Sequence, residues 1–420
     1  MKHENKVEVA VAWANIAEPG DAWAGALRAA LGPEDALRWA AADYASLPSD
    51  VAAPSGHKGG GAASGWKAAH RRWEPRFEDL DPQRDLGELE KLGGRLVLPD
   101  DPQWPSQFEE LEFRQPPALW VLGEGSLSCQ SEPAVSVVGA RAATTYGTRV
   151  AAQMAFDLAA AGVSVVSGGA YGIDAAAHRG ALDFGVESQQ RAAARSRTLE
   201  GAEPACRGPR TVAIVCGGLS SLYPAGNAEL FERITSEGGV VVAEVPPRFR
   251  PARWRFLERN RLIAAWSDVT VVPEAGIRSG ALATANRALE LGREVAAVPG
   301  PVTSSVSHGP HSLIRDGAAL VASARDVIEL LVGVQGDEDG ANSGSAQPPA
   351  SGDLWVEAQL AALGPVARRV YEALPAVLSA PLTNVARAAG LPTDQVGGAL
   401  LSLRFADLVK HDNGKWSRAA

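Results

Sequence analysis

The chain runs to 420 residues, of which 46% are hydrophobic, with a formal net charge of −9. That length is too great for one typical domain and predicts two or three. The acidic balance argues against a protein coated in nucleic acid but leaves room for a local basic groove.

The opening stretch, MKHENKVEVAVAWANIAEPG, has no apolar signal core, and no run in the chain is long and apolar enough to span a membrane. The three cysteines, Cys129, Cys206 and Cys216, show neither Cys-x-x-Cys spacing nor a disulfide framework. A cytoplasmic protein is therefore expected, with Cys216 as a packed core residue. From residue 7 to about 112 the chain is rich in Ala, Trp and Leu, and AWAGALRAALG and PEDALRWAAADYASL read as short amphipathic helices. PSGHKGGGAASG interrupts them as a flexible loop.

The middle of the chain alternates two patterns. VSVVG, VSVVSGG, TVAIVCGG, VVVAE, DVTVVPEAG and EVAAVPG are apolar throughout, as strands of a parallel sheet buried on both faces are. Between them TRVAAQMAFDLAAAG, DAAAHRGALDFG, NAELFERITSEGG and SGALATANRALELG are helical patterns, giving a doubly wound α/β sheet. The connection spanning 186–210 is too long and is predicted to be a surface insertion without regular structure. Residues 333–363 form an acidic linker rich in Gly, Ser and Pro. Residues 364–420 resume helical periodicity in GPVARRVYEALP, LTNVARAAGLP and TDQVGGALLSLRFADLVK, and HDNGKWSRA follows as a strand or wing; together they suggest a winged helix.

In an open α/β sheet the ligand lies at the carboxyl edge of the strands. It is expected beside Gly139-Ala140-Arg141, Ser167-Gly168-Gly169, Cys216-Gly217-Gly218, Glu244-Val245-Pro246 and Glu274-Ala275-Gly276. SGGAYGIDAAAH, Ser167 to His178, has the strand–turn–helix form of a phosphate cradle. A dinucleotide reading fails: Arg141 stands where the second glycine is needed, and the second strand ends in Ser167 rather than an acid. No Walker A motif occurs. Arg141 at a strand tip suits bidentate phosphate contact, with a surface salt bridge as the alternative. RFRPARWRFLERNR, Arg248 to Arg261, places six arginines in fourteen residues with Phe249, Trp254 and Phe256 among them. Arginines that track a backbone beside aromatic faces suit single-stranded nucleic acid; the alternative is that the aromatics are core and some arginines pair with carboxylates. Arg141 and Arg259 are both expected to project from the sheet edge towards phosphate. Asp174 and His178 lie one helical turn apart, but no nucleophile or metal partner accompanies them, and Asp174 is favoured simply by the helix dipole. The histidines form no metal-ligand spacing. No catalytic residue, metal or cofactor is expected.

VVGARAATTYG, SGGAYGIDAAAHRGAL, VAIVCGGLSSLYPAGNAELFERI, FLERNRLIAAWSDVTVVPEAGIRSGALATANRALELGREVAAVPGPV and HSLIRDGAALV, in this order over about residues 98 to 330, resemble the DNA processing protein A (DprA/Smf) family. The resemblance implies an extended Rossmann-like fold over 113–332 that binds single-stranded DNA, and a homodimer that protects incoming strands and loads the recombinase RecA in natural transformation or recombination. It implies a helical, SAM-like N-terminal domain over 1–112 and a winged helix over 364–420. Its DNA-binding positions fall on Arg141, Ser167, Gly168, Gly169, Gly172, Arg253, Arg255, Arg259, Asn260, Arg261, Arg278 and Ser279. Ala140 departs from the family, which has a hydroxyl residue there. Two other readings stay open: a Rossmann enzyme cleaving nucleoside monophosphates, and a scaffold whose winged helix reads duplex DNA.

Overall fold

The computed structural model describes residues 2–42, 51, 53–54, 62–127, 133–195, 210–336, 365–374, 380–405, 408–412 and 415–418. The chain divides into two compact units, Met1–Asp339 and Gly340–Ala420.

The first unit opens with α1 (Lys2–Ile16), α2 (Ala22–Leu31), α3 (Pro33–Ala41), α4 (Ala62–Trp73) and α5 (Pro82–Lys91). The Asp21 carboxylate caps α2 by accepting from the N–H groups of Trp23 and Ala24, and prolines open α3 and α5. The core of α1 to α4 is built on Trp13, Leu27, Trp66 and Trp73, with Trp13 edge-on to Trp73 at 5.8 Å. The sequence patterns did not single out α1, because residues 11–16 are buried all round and leave no stripe to read. The expected loop at PSGHKGGGAASG is shorter than its sequence suggests: α4 already begins at Ala62, while residues 55–61 lie outside the described residues.

The sheet has nine strands, β1 (Arg95–Val97), β2 (Leu119–Leu122), β3 (Ala134–Val137), β4 (Ser164–Ser167), β5 (Thr211–Val215), β6 (Val240–Ala243), β7 (Val269–Val272), β8 (Glu294–Ala297) and β9 (Ala319–Leu320), in the order β1-β2-β6-β5-β4-β3-β7-β8-β9. From β6 to β9 every pairing is parallel; β1 and β2 add an antiparallel extension beyond β6. The valine-rich strands are buried throughout because helices cover both faces. On one face α6 (Thr145–Ala160), α7 (Ile173–Arg195) and α12 (Ala324–Gly336) close over Val135, Val137, Val165 and Val271. On the other, α9 (Arg253–Trp266), α10 (Gly280–Glu290) and α11 (His308–Arg315) join the cluster of Val166, Ile214 and Val272. A third cluster brings α1, α5 and α8 (Ala228–Ser236) against β2, β5 and β6. The chain winds outward one way from β3 through β4, β5 and β6, and the other way from β7 through β8 and β9. The topological switch point therefore lies between β3 and β7.

Two expectations are corrected. The segment 186–210 is not irregular from its start, since α7 continues to Arg195; the rest, 196–209, lies outside the described residues. The linker expected from 333 starts later, because α12 runs to Gly336, and 337–363 lie outside the described residues.

The second unit contains helices Pro365–Glu372, Leu382–Ala389 and Thr393–Phe405. Strands Val409–Asp412 and Lys415–Arg418 form an antiparallel pair, and Ala380–Pro381 joins the latter. Val370, Val385, Leu400, Leu403 and Trp416 form its core.

Candidate functional site

The switch point opens into a crevice of about 810 Å³ whose walls include Gly139, Arg141, Arg253, Phe256, Leu257 and Arg278. Its shape depends on ties between loops distant in sequence. Thr144, the N-cap of α6, donates its hydroxyl (2.6 Å) and its N–H (2.9 Å) to the buried Glu274 carboxylate, joining the turn after β3 to the turn after β7. Ala140 N–H donates to the Glu274 carbonyl at 2.6 Å. Both carboxylate oxygens of Glu274 are thus engaged by Thr144, as parts of the scaffold. Gly172, at φ +77°, brings the turn after β4 against the turn after β3; a Cβ there would sit 2.2 Å from the Ala140 carbonyl oxygen.

The arginines expected to act together divide sharply. Arg141, Arg253 and Arg278 are exposed on the crevice rim, and among the described residues none pairs with a carboxylate. The Arg141 guanidinium lies over the Phe256 ring, 4.9 Å from its centroid. Arg259, expected to project, is buried, although it still lines the crevice from within. It donates to the Gly168 carbonyl at 2.9 Å and to the Ile214 carbonyl, and a Cβ on Gly168 would lie 2.4 Å from its Nη1, so the glycine leaves space for the guanidinium. Burial lowers the Arg259 pKa, opposed by the nearby Asp174 carboxyl. Arg259 projects inward because α9 packs against the sheet and strand-end carbonyls need donors. Arg261 is buried in a bidentate pair with the buried Glu244, at 2.8 and 2.5 Å, and also donates to the Arg114 carbonyl. Arg255 makes a bidentate pair with Glu18 of the N-terminal helices, both contacts 2.9 Å, and its guanidinium lies against the Phe249 ring. Burial of Glu18 disfavours its charge, but hydrogen bonds from Arg255 and Arg76 outweigh this and hold it down at about 2.

The remaining expected residues are partly structural in placement. Asn260 is buried and donates to the Gly280 carbonyl at 3.3 Å, and the Ser279 hydroxyl accepts from Ala281 N–H as the N-cap of α10. Ser167 is fully buried and donates to the Val137 carbonyl at 2.7 Å, stitching β4 to the end of β3. Gly168, Gly169 and Gly172 form the turn above it, held by Asn227, which donates to the Gly169 carbonyl at 2.9 Å. Asp174 and His178 are both buried. Burial raises the Asp174 pKa, against the opposing pull of Arg259. Burial, with Arg259 and Arg179 nearby, pushes His178 down to about 3, so it is neutral. Thr211 donates its hydroxyl to the Val165 carbonyl, so its oxygen accepts from His178 Nδ1 at 2.7 Å. His178 and Thr211 thus form a core hydrogen-bond chain, whereas Asp174, though buried, lines the floor of the crevice.

The sequence reading did not single out Tyr223 or Leu257. Tyr223 lies after β5 at the carboxyl edge, 48% exposed, and meets Phe256 edge-on at 5.9 Å, so that Arg141, Phe256 and Tyr223 form a continuous row. The position of Tyr223 in the turn that follows the third buried strand was the available signal. Among the described residues, no group of three or more His, Cys, Asp or Glu could hold a metal ion. None of their helices is long and apolar enough to cross a membrane.

Residues 95–332 match the family model of DNA recombination-mediator protein A. A Mycobacterium tuberculosis chain provisionally named DNA processing protein DprA is 44% identical over 345 residues, which is 79% of each chain. The solved DNA processing protein A of Streptococcus pneumoniae is 32% identical, with a TM-score of 0.51, over 62% of this chain and 81% of its own. That of Helicobacter pylori, solved for its single-stranded DNA binding mode, is 24% identical, with a TM-score of 0.45, over 57% of this chain and 96% of its own.

Proposed function

The chain belongs to the DNA recombination-mediator protein A (DprA/Smf) family, and we propose that it binds single-stranded DNA along the crevice at the switch point. Arg141, Arg253 and Arg278 meet phosphates, and Phe256 and Tyr223 offer ring faces to bases. The observation that supports this is the rim itself. Three guanidiniums stand exposed around an open crevice with no carboxylate partner among the described residues, beside the exposed Tyr223 and the half-buried Phe256, in a chain of net charge −9. A phosphate backbone supplies the missing counter-charge, and stacking on rings tolerates any base. The buried members of the set, Ser167, Gly168, Gly169, Gly172, Arg255, Arg259, Asn260 and Arg261, act on this reading by shaping the turns that carry the rim.

The finer parts of the proposal rest on the family resemblance. The bound strand is protected and passed to the recombinase RecA by a homodimer of this chain. Residues 1–112 form a helical, SAM-like domain with the lead-in to the sheet, 113–332 the Rossmann-like domain, which α12 carries on to Gly336, 337–363 a linker and 364–420 a winged helix.

The test is an anisotropy titration with single-stranded and duplex DNA across a range of salt. Single strands are expected to bind more tightly, with little sequence preference and a log–log slope of about −0.7 per neutralised phosphate. A flat slope would overturn the reading. A preference for duplex would move DNA recognition to the second unit.

A further inference from the structure

A second basic pocket lies at the same end of α9, where the crevice walls stop. Its volume is about 360 Å³, and its lining includes Arg76, Asp79, Arg84, Phe249, Arg250 and Arg255. It shares no lining residue with the crevice, yet both draw on one turn of α9: Arg253, Phe256 and Leu257 face the crevice, and Arg255 faces the pocket. The N-terminal helices supply the opposite wall through Arg76, just beyond α4, and Arg84 in α5.

Four arginines and Asp79 line this pocket, with Glu18 and Asp85 behind it, and the excess positive charge is carried chiefly by Arg250. Glu18 binds Arg76 and Arg255 from behind and fixes them in place. Arg250 is exposed and has no carboxylate partner among the described residues. Arg84 is also exposed; it donates to the Asp79 carbonyl at 3.2 Å and stands 4.0 Å from Asp85. The aromatic faces continue as well. Phe249 lies against the Arg255 guanidinium at 4.9 Å, and Trp254, 56% exposed, is anchored by donating its indole N–H to Glu18 at 3.2 Å. Phe249 and Trp254 both lie against the Arg255 guanidinium, at 4.9 and 5.8 Å, while Phe256, one residue further along α9, lines the crevice. Between crevice and pocket, no side chain caps the N-terminus of α9, which adds a favourable field for anionic oxygens.

We propose that this pocket is a second nucleotide subsite, taking the next phosphodiesters of the strand that occupies the crevice, so that the N-terminal helices form part of the DNA path. Arg84 and Arg250 contact phosphate, and Phe249 and Trp254 carry bases around the end of α9. The inference rests on the reading of the crevice as a single-strand site. Interleaved rings and guanidiniums continuous with that crevice favour a nucleic-acid strand over an acidic protein segment, which has no use for the rings.

The test compares the full chain with the double variant R84Q/R250Q, using thymidine oligonucleotides of about 6 and about 20 residues. Both arginines are exposed, and the melting temperature is expected to be unchanged. The variant is expected to bind the short oligonucleotide as the parent does, and the long one about tenfold more weakly, with a shallower salt slope. Equal affinity of parent and variant for the long strand overturns the second subsite while leaving the crevice reading intact, and points to a protein partner for the pocket. Equal weakening on both lengths also overturns it, because the arginines would then act through general field rather than as a separate site. A parent that binds neither oligonucleotide overturns both readings.

Discussion

The rim of the crevice and the inner face of α9 use the same side chain to opposite ends. On the rim, Arg141, Arg253 and Arg278 stand in solvent with no carboxylate partner among the described residues. On the inner face, Arg259 and Arg261 sit among strand-end carbonyls and the Glu244 carboxylate. The difference follows from desolvation. A buried guanidinium must be matched by acceptors, and once matched it has little left for a ligand. An exposed one costs little to leave unpaired and is free to meet an anion. Arginine count in a motif therefore measures neither binding nor stability until burial has sorted the members.

The most severe test of this division is Arg261→Ala. It strands a buried carboxylate at Glu244, and urea unfolding should show a loss of about 3–5 kcal/mol. Stability close to that of the parent would mean that the inner face is not the structural one. Next comes Arg141→Ala. Its stability should stay within about 0.5 kcal/mol of the parent, while single-strand affinity, read by anisotropy, should fall by about 1.5–3 kcal/mol. If melting and binding fall together, the rim is structural too and the contrast collapses. Ser167→Ala sharpens the comparison at a smaller scale. Loss of the hydrogen bond to the Val137 carbonyl should cost about 1 kcal/mol and leave DNA affinity unchanged, although the residue belongs to the phosphate-cradle motif.

Glu18, which lies between the two regimes with its side chain 28% exposed, gives a test resolved by pH. Its folded pKa, about 2, lies below the ordinary 4.5. The pair's contribution is therefore fully present above about pH 4.5 and fades as the pH falls through about 2. Glu18→Gln should flatten the acid side of a curve of melting temperature against pH. A curve that keeps its slope would assign acid sensitivity to other groups, such as the neutral His178.

The strands were legible because burial on both faces writes itself as unbroken runs such as TVAIVCGG, and the switch point follows once strand order is known. α9 was legible only as a charge cluster. Its arginines alternate in fate with the helical turn, and their partners, Glu18 and Ile214, lie 237 and 45 residues from them. No local pattern carries that information. The same holds for Glu274, whose role appears only when Thr144, 130 residues away, is found donating to it. Tyr223 was visible as a residue but not as a neighbour of Phe256, because the turn after β5 and the first turn of α9 meet only in three dimensions.

The two ends of the sheet carry a consequence for life at high concentration. A parallel sheet that stopped at β6 would offer four consecutive valine-rich residues as an open ladder for another chain. The antiparallel strands β1 and β2 cover that ladder, leaving only the three residues of β1 outermost on that side. At the opposite end β9 is just two residues long. Neither margin is long enough to template a stray strand, so the least soluble part of the molecule is shielded from edge-to-edge aggregation by the brevity of its borders.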